Sequence, residues 1–93
     1  MLYLYYCYMD SPSNWECVVS GHLNADGASI EFEHTTKDLR AVIEATSELP
    51  GDYFTVIFDT NTSNPTETVE PHEMYGNEQE AREEFLKLLQ KHN

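Results

Sequence analysis

The first nine residues, Met-Leu-Tyr-Leu-Tyr-Tyr-Cys-Tyr-Met, contain no glycine, proline or charge. The run is too short for a helix, and its residue types suit a pleated, buried surface. It predicts a strand over residues 2–9. Leu2, Leu4, Tyr6 and Tyr8 point to one face, and Tyr3, Tyr5, Cys7 and Met9 to the other. Neither face is made for water alone, so the strand is expected inside a sheet with cover on at least one side. Helices, a partner protein or a second copy of the chain in a homodimer would supply that cover.

The segment from Asp10 to Asn14 is dense in turn formers. Trp15 to Leu23 then alternates as a second strand, with Val18 breaking the pattern. Asp26-Gly27 is a hairpin signal. Beyond it Ala28, Ile30 and Phe32 alternate with Ser29, Glu31 and Glu33 in a third strand, placed towards an edge by its wet face. Thr35 or Thr36 is suited to cap a helix carrying Leu39, Val42, Ile43 and Thr46 on one side and ending at Leu49-Pro50-Gly51. Tyr53 to Phe58 is a β-branched, aromatic fourth strand. Residues 60–71 read as a long polar loop with a short extended edge near Thr68 and Val69. Asn77 with Glu80 caps a last helix, whose stripe is Ala81, Phe85, Leu88 and Leu89.

The expected architecture is a single α+β domain over residues 1–93 in the order β-β-β-α-β-α. A right-handed crossover places the fourth strand beside the first, in sheet order 3-2-1-4 with both helices packed on the sheet. A chain of this length buries a modest core.

Seventeen acidic residues face five basic ones, for a formal net charge of −12. No Lys or Arg precedes Lys37, and the segment from Glu67 to Glu84 holds seven Glu against Arg82 alone. Such a field repels phosphate backbones and attracts basic surfaces, which argues against direct nucleic-acid binding. Cys7 and Cys17, both in apolar patterns, read as buried thiols of a reducing cytosol. No stretch reads as a secretory signal or a membrane span, so cytoplasmic residence in a host cell is expected.

The strand and helix order resembles the first half of the ribonuclease H fold. Asp10, Asp38 (or Glu44) and Asp59 fall at the positions of that family's metal-binding carboxylates, and Thr35-Thr36, Asp38-Leu39, Val56-Ile57 and Asp59-Thr60 are similar in local flavour. The resemblance implies Mg²⁺-dependent phosphodiester cleavage. Ser11 stands where the family carries a glycine, and the net charge opposes nucleic acid. Asp59, Asn61, Ser63 and Glu70 match the spacing of a calcium-binding loop, but Asn64 replaces its glycine and a strand rather than a helix precedes it.

Small acidic chains without a catalytic motif resemble, in size and composition, the inhibitors that phages and mobile elements encode against host defence, including anti-CRISPR proteins. They also resemble acidic immunity proteins that block toxin nucleases. The favoured expectation is therefore a non-catalytic binding protein, without metal or cofactor, whose partner is a basic, nucleic-acid-handling protein. Glu67, Glu70, Glu73, Glu80, Glu83 and Glu84 would face Lys and Arg of that partner, with Tyr75 as an aromatic anchor. If the helices leave one sheet face bare, Glu16, Glu31 and Glu33 would edge a second contact surface.

Overall fold

A computed structural model describes residues 9–47, 52–62 and 67–93. The expected first strand falls almost wholly on residues 1–8, which lie outside the described residues. The described chain forms a five-stranded antiparallel sheet in simple meander order, closed by one C-terminal helix. The strands are β1 (Trp15–Ser20), β2 (Ser29–His34), β3 (Leu39–Ala45), β4 (Tyr53–Asp59) and β5 (Glu70–Tyr75), and the helix is α1 (Glu78–Lys91).

This arrangement corrects the expected β-β-β-α-β-α order with sheet order 3-2-1-4. The segment read as a crossover helix is β3, the middle strand of the sheet. Leu39, Ala41, Ile43 and Ala45 point to the helix side, and Arg40, Val42 and Glu44 to the other. Three apolar residues in a row, Ala41-Val42-Ile43, satisfy a helical stripe and a doubly buried strand equally well. Pairing on both sides decides for the strand: Ile43 stands opposite Ile30 of β2 and Thr55 of β4. With no helix between them, β3 and β4 are antiparallel, and β4 lies beside β3.

Two further expectations change. β2 is an inner strand, between β1 and β3, and its wet residues mark an open sheet face instead of an edge. The end of the long polar loop is the edge strand β5. Pro71 sits within it, as an edge position allows because one side of the strand needs no ladder partner.

Other sequence signals match the structure. The register between β1 and β2 shifts between Cys17 and Val19, so the break in alternation at Val18 is a β-bulge. Gly27 takes φ of 85°, which glycine adopts without steric cost. The Asn77 side chain accepts from the Glu80 amide at 3.1 Å and caps α1.

Ala81, Phe85 and Leu89 recur every fourth residue along α1, and each is fully buried. They pack with Trp15, Ile30, Phe32, Ile43 and Ile57 in one core between the helix and the sheet. Met9 and Cys17 lie against this same core. Cys17 is disulfide-bonded, which corrects the expected thiol; Cys7 is outside the described residues. His34 is buried beside Trp15, their ring centroids 4.9 Å apart. Its Nδ1 accepts from the amides of Thr36 and Lys37 at 3.1 and 3.0 Å, fixing the β2–β3 turn that a helix cap was expected to occupy.

Among the described residues, no helix is long and apolar enough to cross a membrane.

Candidate functional site

The expected partner-binding carboxylates divide into four places. Glu73, Glu80, Glu83 and Glu84 gather at the corner where β5 turns into α1. Gly76 and Asn77 make that turn, which brings Glu73 of β5 and Glu80 and Glu84 of α1 within electrostatic reach of Tyr75. Tyr75 stands in the middle, half-buried. Burial lifts its phenol above the ordinary range, and the charges of Glu84, Glu73 and Glu80 push the same way. Glu80 and Glu83 border a shallow hollow with Asn77 and Gln79. The cations nearby are committed locally: Lys87 pairs with Glu84 at 2.9 Å and Arg82 with Glu78 at 2.8 Å. Among the described residues, Glu73, Glu80 and Glu83 have no ion pair.

Glu70 does not join this corner. Its Oε2 meets His92 Nε2 at 2.6 Å and Lys91 Nζ at 2.9 Å, tying the start of β5 to the end of α1. The hydrogen bond from His92, and after it that from Lys91, holds the Glu70 carboxyl below the usual carboxylate range. That clasp uses the residue placed last in the expected calcium-binding spacing; Ser63 and Asn64 of that spacing are outside the described residues.

Glu31 and Glu33 lie on the sheet face opposite α1, in cross-strand rows set by the register. One row is Glu33, Arg40 and Phe58; the next is Glu31, Val42 and Val56; the third is Ser29, Glu44, Phe54 and Met74. Glu16 stands opposite Glu33 and extends the first row. The face is therefore acidic over β2 and apolar over β4 and β5. Arg40 divides the two halves, its guanidinium 2.8 Å from both Glu31 and Glu33. Val42 and Val56 are buried there, yet neither belongs to the core under the helix. Burial, helped by the charges of Glu31 and Asp26, raises the Glu44 carboxyl above its ordinary range.

Glu67 stands apart from the other three groups. On the apolar half lies a groove of about 550 Å³, lined by Val56, Phe58, Asp59, Thr60, Glu67, Thr68 and His72 among others. His72 also stacks at a tilt on Phe54, 5.2 Å between centroids. Arg40, Phe54, Phe58 and His72 were not singled out from the sequence as site residues. The signal was present: the alternation of β3, taken as a strand, puts Arg40 opposite Glu33.

The carboxylates of the ribonuclease H resemblance are only partly brought together. Asp38 and Asp59 meet where Leu39 pairs with Asp59, and Asn61 bridges them, donating its side-chain amide to Asp38 and its backbone amide to Asp59. Asp38 lies in a tight turn, not in a helix, and Glu44 is at the far end of β3. Among the described residues, no cluster of three or more His, Cys, Asp or Glu has a metal-holding arrangement. No family model, curated protein or solved structure matches the chain.

Proposed function

We propose that this chain is a small acidic, non-catalytic binding protein that occupies a basic, nucleic-acid-binding surface of a target protein. In this reading it acts as phage or mobile-element counter-defence proteins do, anti-CRISPR proteins among them. The observation that carries the reading is the corner in which Glu73, Glu80 and Glu84 stand near Tyr75, with Glu83 beside Glu80. Carboxylates at such a spot present the charge that a nucleic-acid-binding surface is built to attract. A half-buried tyrosine adds a rigid anchor that loses little entropy on binding. Steering by a field of this sign raises association rates by roughly ten- to a thousand-fold at low salt.

Affinity capture from the native host, with wild-type protein and a Glu80→Lys, Glu83→Lys, Glu84→Lys variant as parallel baits, tests the proposal. The expected result is a basic protein retained by wild type, lost on the variant and eluted by moderate salt, whose nucleic-acid binding the wild-type chain inhibits. Equal capture on both baits, or a captured partner that still binds nucleic acid in the complex, would overturn it.

A further inference from the structure

We propose that the open sheet face is a docking surface for a basic segment of a partner protein that also carries apolar side chains. The proposal stands on a different surface from the Tyr75 corner, on the opposite side of the sheet from α1. Two halves of one face make the case. The acidic half presents Glu31, Glu33 and Glu44 in successive rows. The apolar half lies on the adjoining strand, where Phe54 and Phe58 are half-buried and Val56 is buried between them, with the groove of about 550 Å³ beside Phe58 and Asp59 and Glu67 among its lining. Apolar side chains of an incoming segment would fill the groove, and its cations would meet the carboxylates alongside.

The charge balance selects among occupants. Arg40 is the one Lys or Arg in these rows, and two carboxylates already clasp it at 2.8 Å. An anionic ligand would have to displace them, so an acidic peptide or a nucleic acid is disfavoured. A second copy of the chain laid face to face would bring Glu31, Glu33 and Glu44 against their own kind, in a protein of formal net charge −12. A basic segment instead brings cations to carboxylates set close together, with Glu31 and Glu33 on alternate residues of β2 and Glu44 on the neighbouring strand. Met9 and Cys17, on the N-terminal side of the described chain, pack with the core on the helix side.

The experiment titrates isotope-labelled full-length protein with the capped hexapeptide Leu-Arg-Leu-Arg-Leu-Arg, following backbone amide shifts. Two control peptides replace its Leu by Ser or its Arg by Glu. Expected are shifts concentrated at Arg40, Phe58, Thr68 and His72, with affinity at least about fivefold weaker for the Ser peptide and no binding of the Glu peptide. Glu67→Lys, an exposed rim change, should weaken the Leu-Arg peptide by a similar factor, and Glu83→Lys on α1 should leave it within about twofold. Shifts centred on Tyr75 and Glu84, equal affinity for the Leu and Ser peptides, or concentration-dependent shifts with no peptide present would each overturn the proposal. The comparison between peptides uses wild-type protein, so it does not depend on a variant folding.

Discussion

The indole N–H of Trp15 donates to the backbone carbonyl of Leu89 at 2.8 Å, joining residues 74 apart in sequence. The carbonyls in the last turn of a helix lack partners within the helix, and the indole supplies one. It also fixes the first strand to the end of α1. Lys37 reaches the carbonyl of His92, and the Asn14 amide donates to Asn93, so the same end of the helix is held from three points.

Trp15→Phe keeps most of the apolar contact and removes the donor. It leaves the Leu89 carbonyl buried without its indole partner, and the expected loss is about 1–3 kcal/mol of unfolding free energy. Urea denaturation followed by far-ultraviolet circular dichroism measures it. An unchanged midpoint would mean that the bond contributes nothing net and that packing alone seats the helix.

Glu70 gives the fold an acid-sensitive clasp. Its folded pKa lies below the ordinary value of 4.5 because His92 and Lys91 hydrogen-bond the ionised form. A depressed carboxylate stabilises the fold above its unfolded pKa and loses that contribution as pH falls through the folded one. Glu70→Gln is therefore expected to cost about 1 kcal/mol near neutral pH, a modest figure because Lys91 is exposed. The difference between wild type and variant should shrink progressively below about pH 4.5. A difference that stays constant down to strong acid would remove the clasp from the account.

Glu44 works in the opposite sense. Burial first, then Glu31 and Asp26, raises its pKa above 4.5. The native state then holds a proton more tightly than the unfolded state does, so the charge is a burden at neutral pH and the burden lifts as pH falls through the raised value. Glu44→Gln should stabilise the fold slightly at pH 7, by about 0.5 kcal/mol given partial exposure, with the gain vanishing towards acid. Thermal melts of both proteins at several pH values decide it. A destabilised variant at pH 7 would show that the carboxylate makes a favourable contact that outweighs its desolvation.

Legibility in the sequence followed how local each cause is. The cap at Asn77 and the four-residue recurrence of Ala81, Phe85 and Leu89 are fixed by neighbours in sequence, and their signals were plain; at Val18 the break in alternation was visible, while the bulge it marks belongs to the pairing with β2. β3 was not, because Leu39 to Ala45 fits both periods and its two alanines favour a helix in isolation. Its strand state comes from pairing with β2 and β4, a non-local effect that overrides propensity. β5 was hidden by Glu70, Pro71 and His72, which are acceptable only because the strand is an edge. The candidate site shared this fate. The acidic residues were visible one by one, but their division between the Tyr75 corner, the Glu70 clasp, the open face and the groove rim depends on where β3 and β5 lie.

Arg40 holds the open face together, and its removal is the most direct probe of the meander itself. Its guanidinium spans the register between β2 and β3, with Nη1 on Glu33 and Nε and Nη2 on Glu31, all at 2.8 Å. Both carboxylates belong to the one strand, so without the cation they repel each other across a single intervening residue. Arg40→Met keeps the aliphatic stem beside Phe58 and is expected to destabilise the fold by about 1–3 kcal/mol. Adding Glu31→Gln and Glu33→Gln to that variant should restore at least about half of the loss, because the cost lies in uncompensated charge more than in lost contact. Chemical denaturation of the wild type, the single variant and the triple variant gives both numbers. If the triple variant is no more stable than Arg40→Met, the loss belongs to the hydrogen bonds of the guanidinium and not to uncompensated charge, and the carboxylates of β2 would be free to engage a partner without disturbing the sheet.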